Sequence, residues 1–106
     1  MRVLVISDIH ANFTALETVL ADAGAVDETW CLGDLVGYGP DPNEVVERVR
    51  GLPNLTCLLG NHDVAAIGKI PFESFNGDAR RALEYHEKAL TKENMDCLLS
   101  LPSSLT

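Results

Sequence analysis

Three short blocks in this 106-residue chain gather residue types that bind divalent cations: Asp8-Ile9-His10, Gly33-Asp34 and Gly60-Asn61-His62-Asp63. Each follows an apolar run, respectively Val3-Leu4-Val5-Ile6, Thr29-Trp30-Cys31-Leu32 and Leu55-Thr56-Cys57-Leu58-Leu59. If the runs are neighbouring strands, their ends lie a few ångströms apart, because strand spacing is about 4.8 Å. In an extended Asp-x-His pair, alternation sends both side chains to one side. The Asp8 carboxylate and the His10 imidazole can then grip one cation. Asp34, on an adjacent strand end, can bridge to a second, and Asn61 offers that ion a neutral amide oxygen. A set mixing oxygen and nitrogen donors suits Mn²⁺, Fe²⁺ or Zn²⁺ better than Ca²⁺. Gly33 and Gly60 each precede a ligand, where the lack of a Cβ lets backbone and cation approach closely.

The elements that must position these blocks can be read from hydrophobic period. The β-branched run from Val3 to Ile6 predicts a strand buried on both faces of a parallel sheet. Asn12 stands at a helix N-cap, Phe13, Leu16, Val19 and Leu20 follow at helical spacing, and Gly24 ends that helix. After the second strand comes a loop with Gly33, Gly37, Gly39, Pro40 and Pro42, then a helix from Asn43 to Arg50 with Val45, Val46 and Val49 on one face. A polar stretch with Pro71 and Gly77 follows the third strand and leads to helices at about Asp78 to Leu90 and Thr91 to Leu101. The order strand, helix, strand, helix, strand, then helices predicts βαβ units, right-handed crossovers and a parallel sheet. Ligands of such sheets bind at the carboxyl edge. Trp30 is expected in the core and Tyr38 in simple packing. His86 is expected on a helix at the surface or half-buried, and Arg80 and Arg81 on a solvated face.

Composition narrows the function. The net charge of −8, from 8 Lys plus Arg against 16 Asp plus Glu, repels a phosphate backbone and argues against bulk binding of nucleic acid. No apolar run approaches the length of about 18 residues that a membrane span needs, and the N-terminal run is too short for a signal peptide. The 3 cysteines are odd in number and form no CxxC pair, so neither a zinc ribbon nor a disulfide framework is expected. Free thiols point to a reducing, cytoplasmic setting. A GxxxxGK[ST] loop is absent, and the turn after the first strand lacks the glycines of a dinucleotide fingerprint.

The three blocks, in this order and at these strand ends, resemble the calcineurin-like metallophosphoesterases. The runs GDLVGYGPDPNEVVERV and FNGDARRALEYHEKALTKENMDCLLSLP are similar to a bacterial and archaeal branch of small phosphoesterases. The resemblance implies an α/β fold that is the N-terminal half of a four-layer αββα sandwich: a βαβαβ parallel sheet plus C-terminal helices. It implies a binuclear site for two divalent ions (Mn²⁺, Fe²⁺, Zn²⁺ or Ni²⁺, with Mn²⁺ favoured). Asp8 and His10 would bind the first, Asp34 would bridge, and Asn61 would bind the second and contact substrate. His62 would face the substrate phosphate and protonate the leaving oxygen, with Asp63 orienting its ring. A hydroxide bridging two ions about 3.5–4 Å apart would attack in line. The substrate would be a phosphomonoester or phosphodiester, possibly a nucleotide.

The family pattern continues with an isolated His and a Gly-His-x-His block, whereas this chain has only 3 His, namely His10, His62 and His86. Residues 1–106 therefore read as a single, truncated domain, with a homo-oligomer or contact with the missing half covering its open sheet face. Two ions need about eight to ten donor positions, water included, and four protein groups leave the second ion short. The chain alone is expected to be nearly inactive. The alternative reading is a fragment or cation-binding module with an incomplete site and no turnover.

Overall fold

The computed structural model describes residues 1–72 and 75–102. Three strands, β1 (Val3–Ile6), β2 (Glu28–Cys31) and β3 (Leu55–Cys57), form a parallel sheet in the order β1-β2-β3. The register sets Ile6 beside Cys31 and Cys31 beside Cys57, and Val5 beside Trp30 and Trp30 beside Thr56. The row of Ile6, Cys31 and Cys57 is buried, together with Thr29.

Among the described residues five helices connect and follow the strands: α1 (Phe13–Ala23), α2 (Pro42–Arg50), α3 (Asn61–Ala66), α4 (Gly77–Ala89) and α5 (Lys92–Leu99). Side chains cap the starts of α1, α4 and α5. Asn12 Oδ1 accepts from the Ala15 N–H at 3.0 Å and Asn76 Oδ1 from Ala79 at 2.9 Å, while Thr91 Oγ1 accepts from Asn94 at 3.2 Å. Pro42 occupies the first turn of α2 and Arg48 and Arg50 its last, where the missing N–H is harmless and cations suit the helix dipole. Val45, Val46 and Val49 bury the inner face of α2, and Leu83 and Leu98 bring α4 and α5 into the same core. Asn43 ties α2 to the α4–α5 turn: its Nδ2 donates to the Ala89 carbonyl and its Oδ1 accepts from Thr91 N–H and Asn94 Nδ2.

Three expectations are corrected. The first strand is not buried on both faces, because Val5 is exposed, as are Trp30 and Leu32. Trp30 is therefore not a core residue: its row lies on the opposite face from buried Ile6, Cys31 and Cys57 and is exposed. Finally, α3 stands where the sequence suggested a polar loop. Its six residues carry no apolar stripe long enough to show a helical period, yet the Asp63 side chain reaches back to the Gly60 N–H and caps its start. The remaining elements agree with expectation to within a few residues. Residues 103–106, near which the resemblance would begin a second sheet, lie outside the described residues.

Candidate metal centre

Beyond the strands the sheet ladder does not stop. Leu32 N–H donates to Ile6 and Leu58 N–H to Cys31, and Asp8, His10 and Ala11 then donate to Gly33, Asp34 and Leu35 at 3.1, 3.0 and 2.7 Å. Two strand-end loops thus run side by side and carry Asp8, His10 and Asp34 to one place at the carboxyl edge. The backbone there is not extended. Asp8, His10, Ala11, Asp34 and Tyr38 have φ between 51° and 62°, a left-handed conformation that costs a non-glycine residue about 1–2 kcal/mol. The convergence of Asp8 and His10 comes from this coiled backbone and not from strand alternation. Strain of this kind gathers where a fixed geometry is needed.

One carboxylate oxygen from each Asp and one His10 nitrogen lie within 4.8 Å of one another. The Nε2 of His10 is 3.5 Å from Asp8 Oδ1, and Ser7 Oγ donates to Asp8 Oδ2 at 2.9 Å. Nδ1 of His10 is 3.1 Å from the Val36 carbonyl. A carbonyl only accepts, so Nδ1 carries a proton, which leaves Nε2 as the ring nitrogen that faces the carboxylates, the usual orientation of a ligating histidine. Asp34 Oδ1 accepts the His62 N–H at 3.0 Å, which leaves its other oxygen for a ligand. Two carboxylates and one imidazole fit a borderline divalent cation.

Asn61 opens α3 beside this cluster and is exposed. It stands between Gly60, which abuts Asp34, and His62, whose N–H binds it. The glycine is required by space: a Cβ at position 60 would lie 2.1 Å from Asp34 Oδ1.

His62 is boxed by aromatic groups, with ring centroids 4.7 Å from His10, 5.1 Å from Tyr38 and 4.9 Å from Phe75. Its Nδ1 is buried without a hydrogen-bond partner among the described residues. Burial pushes the His62 pKa below the usual imidazole value, against an opposing pull from Asp34. Asp63 does not orient this ring as expected. Its Oδ1 accepts from Val36 N–H and its Oδ2 from Gly60 N–H, both at 3.1 Å. The carboxylate is fully buried, and that burial lifts its pKa to about 6 while the two N–H groups pull it down. Asp63 therefore ties the start of α3 to the loop after Asp34.

Two residues left to packing or surface by their sequence belong to this region. Tyr38 is half exposed, with its ring 5.1 Å from that of His10. His86 has no exposed surface at all, which corrects the expectation of a surface or half-buried residue. It lies on the inner face of α4 and bonds to Gly37 and Gly39, the neighbours of Tyr38. The glycines flanking Tyr38 were the only local signal of a tight turn, and nothing in the spacing of His86 pairs it with them.

Known proteins are similar to this chain along nearly its whole length. Residues 1–105 match the family model described as calcineurin-like phosphoesterase. A crystal structure of a metallophosphoesterase from Sphaerobacter thermophilus superposes with a TM-score of 0.84 at 50% identity, covering 100% of this chain and 43% of that one. An uncharacterized protein of Methanocaldococcus jannaschii is 43% identical over 102 residues, 94% of this chain and 42% of its own. A symmetrical bis(5'-nucleosyl)-tetraphosphatase of Photorhabdus laumondii is 32% identical over 108 residues, 98% of this chain and 34% of its own. The chain thus spans less than half the length of these relatives. No described helix is long and apolar enough to cross a membrane.

Proposed function

This chain belongs to the calcineurin-like phosphoesterase family, and we propose that it carries the metal-nucleating half of a binuclear phosphoesterase. The observation that carries the proposal is the convergence of Asp8, His10 and Asp34 donors within 4.8 Å at the carboxyl edge of the sheet. In this reading Asp8, His10 and Asp34 hold one divalent ion, and Asp34 and Asn61 supply part of the site for a second, Mn²⁺ being favoured for both. Such ions, when bound, polarise the phosphoryl oxygens and lower the pKa of water. His62 stands over the same site and donates a proton to the leaving oxygen. Burial lowers the pKa of its ring, and the Asp34 carboxylate opposes that shift and favours the protonated form that an acid needs. Asp63 contributes by fixing α3, and with it Asn61 and His62, to the Val36 backbone.

The substrate is a phosphomonoester or phosphodiester. A nucleotide is favoured, because several relatives are named bis(5'-nucleosyl)-tetraphosphatases. The three free thiols, two of them buried, fit a reducing cytoplasm. The 106 residues alone supply too few donors for two ions, so turnover belongs to the whole protein.

The test is hydrolysis of bis(4-nitrophenyl) phosphate and of a bis(5'-nucleosyl) tetraphosphate with Mn²⁺, by the full-length protein and by residues 1–106. Turnover by the former, lost on chelation, and almost none by the latter is expected. A metal-loaded full-length protein that hydrolyses neither compound would sink the proposal.

A further inference from the structure

We propose that His86 is a positioning residue of this site, a buried clamp that fixes the Gly37–Gly39 loop and so stands Tyr38 against His10 and His62. The Gly37 N–H donates to His86 Nδ1 at 2.9 Å, and His86 Nε2 lies 2.6 Å from the Gly39 carbonyl. An N–H donor requires a lone pair on Nδ1, and a carbonyl requires a proton on Nε2. One neutral tautomer satisfies both contacts, and burial favours the neutral ring. An apolar residue of similar size would fill the same space on α4 but would strand the Gly37 N–H and the Gly39 carbonyl, at a cost typical of unpaired buried backbone groups.

The clamp acts on the site because the loop it holds touches every nearby functional ring. Gly37 packs on His62 so closely that a Cβ there would lie 2.3 Å from His62 Nδ1. Gly39 N–H donates to the His10 carbonyl at 2.8 Å, and Val36, one residue before the loop, accepts from His10 Nδ1. Between the two glycines Tyr38 is held at φ 62°, a conformation that relaxes once its flanking contacts go. A catalytic group misplaced by about 1 Å can lose about 100-fold in rate, so a clamp distant from the chemistry still governs it.

The effect on turnover rests on the phosphoesterase reading, whereas the placement of the rings does not, and the experiment reads both. In the full-length protein, His86→Leu keeps the packing and removes both hydrogen bonds, while His86→Asn keeps an acceptor near the Nδ1 position. With Mn²⁺ and bis(4-nitrophenyl) phosphate, His86→Leu should lower kcat by about 10–100-fold, and His86→Asn should retain more activity than His86→Leu. In the metal-free protein, NOEs from the Tyr38 ring to the His10 and His62 rings should persist in His86→Asn and vanish in His86→Leu. A residue that only fills the core gives the reverse order, because leucine replaces histidine there better than asparagine does, and that result overturns the proposal. Wild-type protein without turnover, but with the ring NOEs behaving as stated, removes the phosphoesterase reading and supports the clamp. Should the leucine variant fail to fold, the histidine ¹⁵N spectrum of the wild type decides: Nδ1–H or doubly protonated His86 near neutral pH contradicts the clamp.

Discussion

Gly60 and Asp34 meet so closely that no larger residue fits at position 60: the Cβ of an alanine would stand 2.1 Å from Asp34 Oδ1 and 2.4 Å from its backbone nitrogen. The contact locks the start of α3 onto the end of the β2 loop and sets the His62 N–H against Asp34. Gly60→Ala is predicted to displace Asp34 and to weaken Mn²⁺ binding by about 10–100-fold, as changes to groups supporting a ligand do. Overpacking should also cost about 1–3 kcal/mol of stability. Titration calorimetry with Mn²⁺ and thermal unfolding read both effects, and wild-type affinity in the variant would show that the contact is dispensable.

Removing Asp34 and removing His62 should have different consequences. Asp34 is the residue shared between the two proposed ion positions, so Asp34→Ala should lose metal and activity together. His62 contacts Asp34 through its backbone N–H, a bond that alanine preserves. His62→Ala should therefore keep its metal and lower kcat by about 10²–10⁴, the range of a general acid. Metal analysis beside turnover of an aryl phosphodiester by the full-length protein separates the two. A His62 variant as metal-poor as the Asp34 variant would make His62 a ligand.

The strand ends were legible because Asp-x-His and Asn-His-Asp each come one residue after a short apolar run, a placement that points to the carboxyl edge of a parallel sheet. The helices were legible from caps at Asn12 and Thr91 and from the Val45, Val46 and Val49 stripe. How Asp8 and His10 converge was not legible, since left-handed backbone at an Asp or His has no signature in residue type. The helix α3 was hidden by its shortness. Tyr38 and His86 were hidden by distance in sequence, because a histidine on α4 gives no sign that it will meet a glycine 49 residues earlier. Trp30 misled because an aromatic in a strand reads as core, and only the one-sided placement of the helices shows that its face is open.

Acid should destabilise the metal-free protein through His86. Its pKa is lowered in the fold by burial, so below about pH 6.5 the unfolded chain takes up a proton that the folded chain refuses. Stability then falls with decreasing pH, by up to about 1.4 kcal/mol per unit, until the folded ring also titrates. Asp63, raised to about 6, works in the opposite sense, gaining stability as pH drops from about 6 toward its ordinary value of 3.8. The difference between wild type and His86→Leu isolates the histidine, since Asp63 is common to both. Urea unfolding at pH 7.5 and 5.5 should show the wild type losing more on acidification than the variant; equal losses would contradict a neutral buried His86.

Val5, Trp30 and Leu32 place an open apolar face on the side of the sheet away from the helices. Contiguous patches of this kind on a soluble chain mark an interface. Residues 1–106 alone should self-associate at micromolar concentration and bind an apolar dye, and a Trp30→Ser, Leu32→Ser variant should do less of both. Sedimentation of a monomer without dye binding would count against an interface there.

The most direct test of the metal centre is anomalous diffraction at the manganese edge from crystals of the protein grown with MnCl₂. A peak is expected within about 2.0–2.4 Å of His10 Nε2 and of a carboxylate oxygen from each of Asp8 and Asp34, distances usual for such ligands. No peak at this cluster at saturating Mn²⁺, or a peak bound elsewhere, would contradict it.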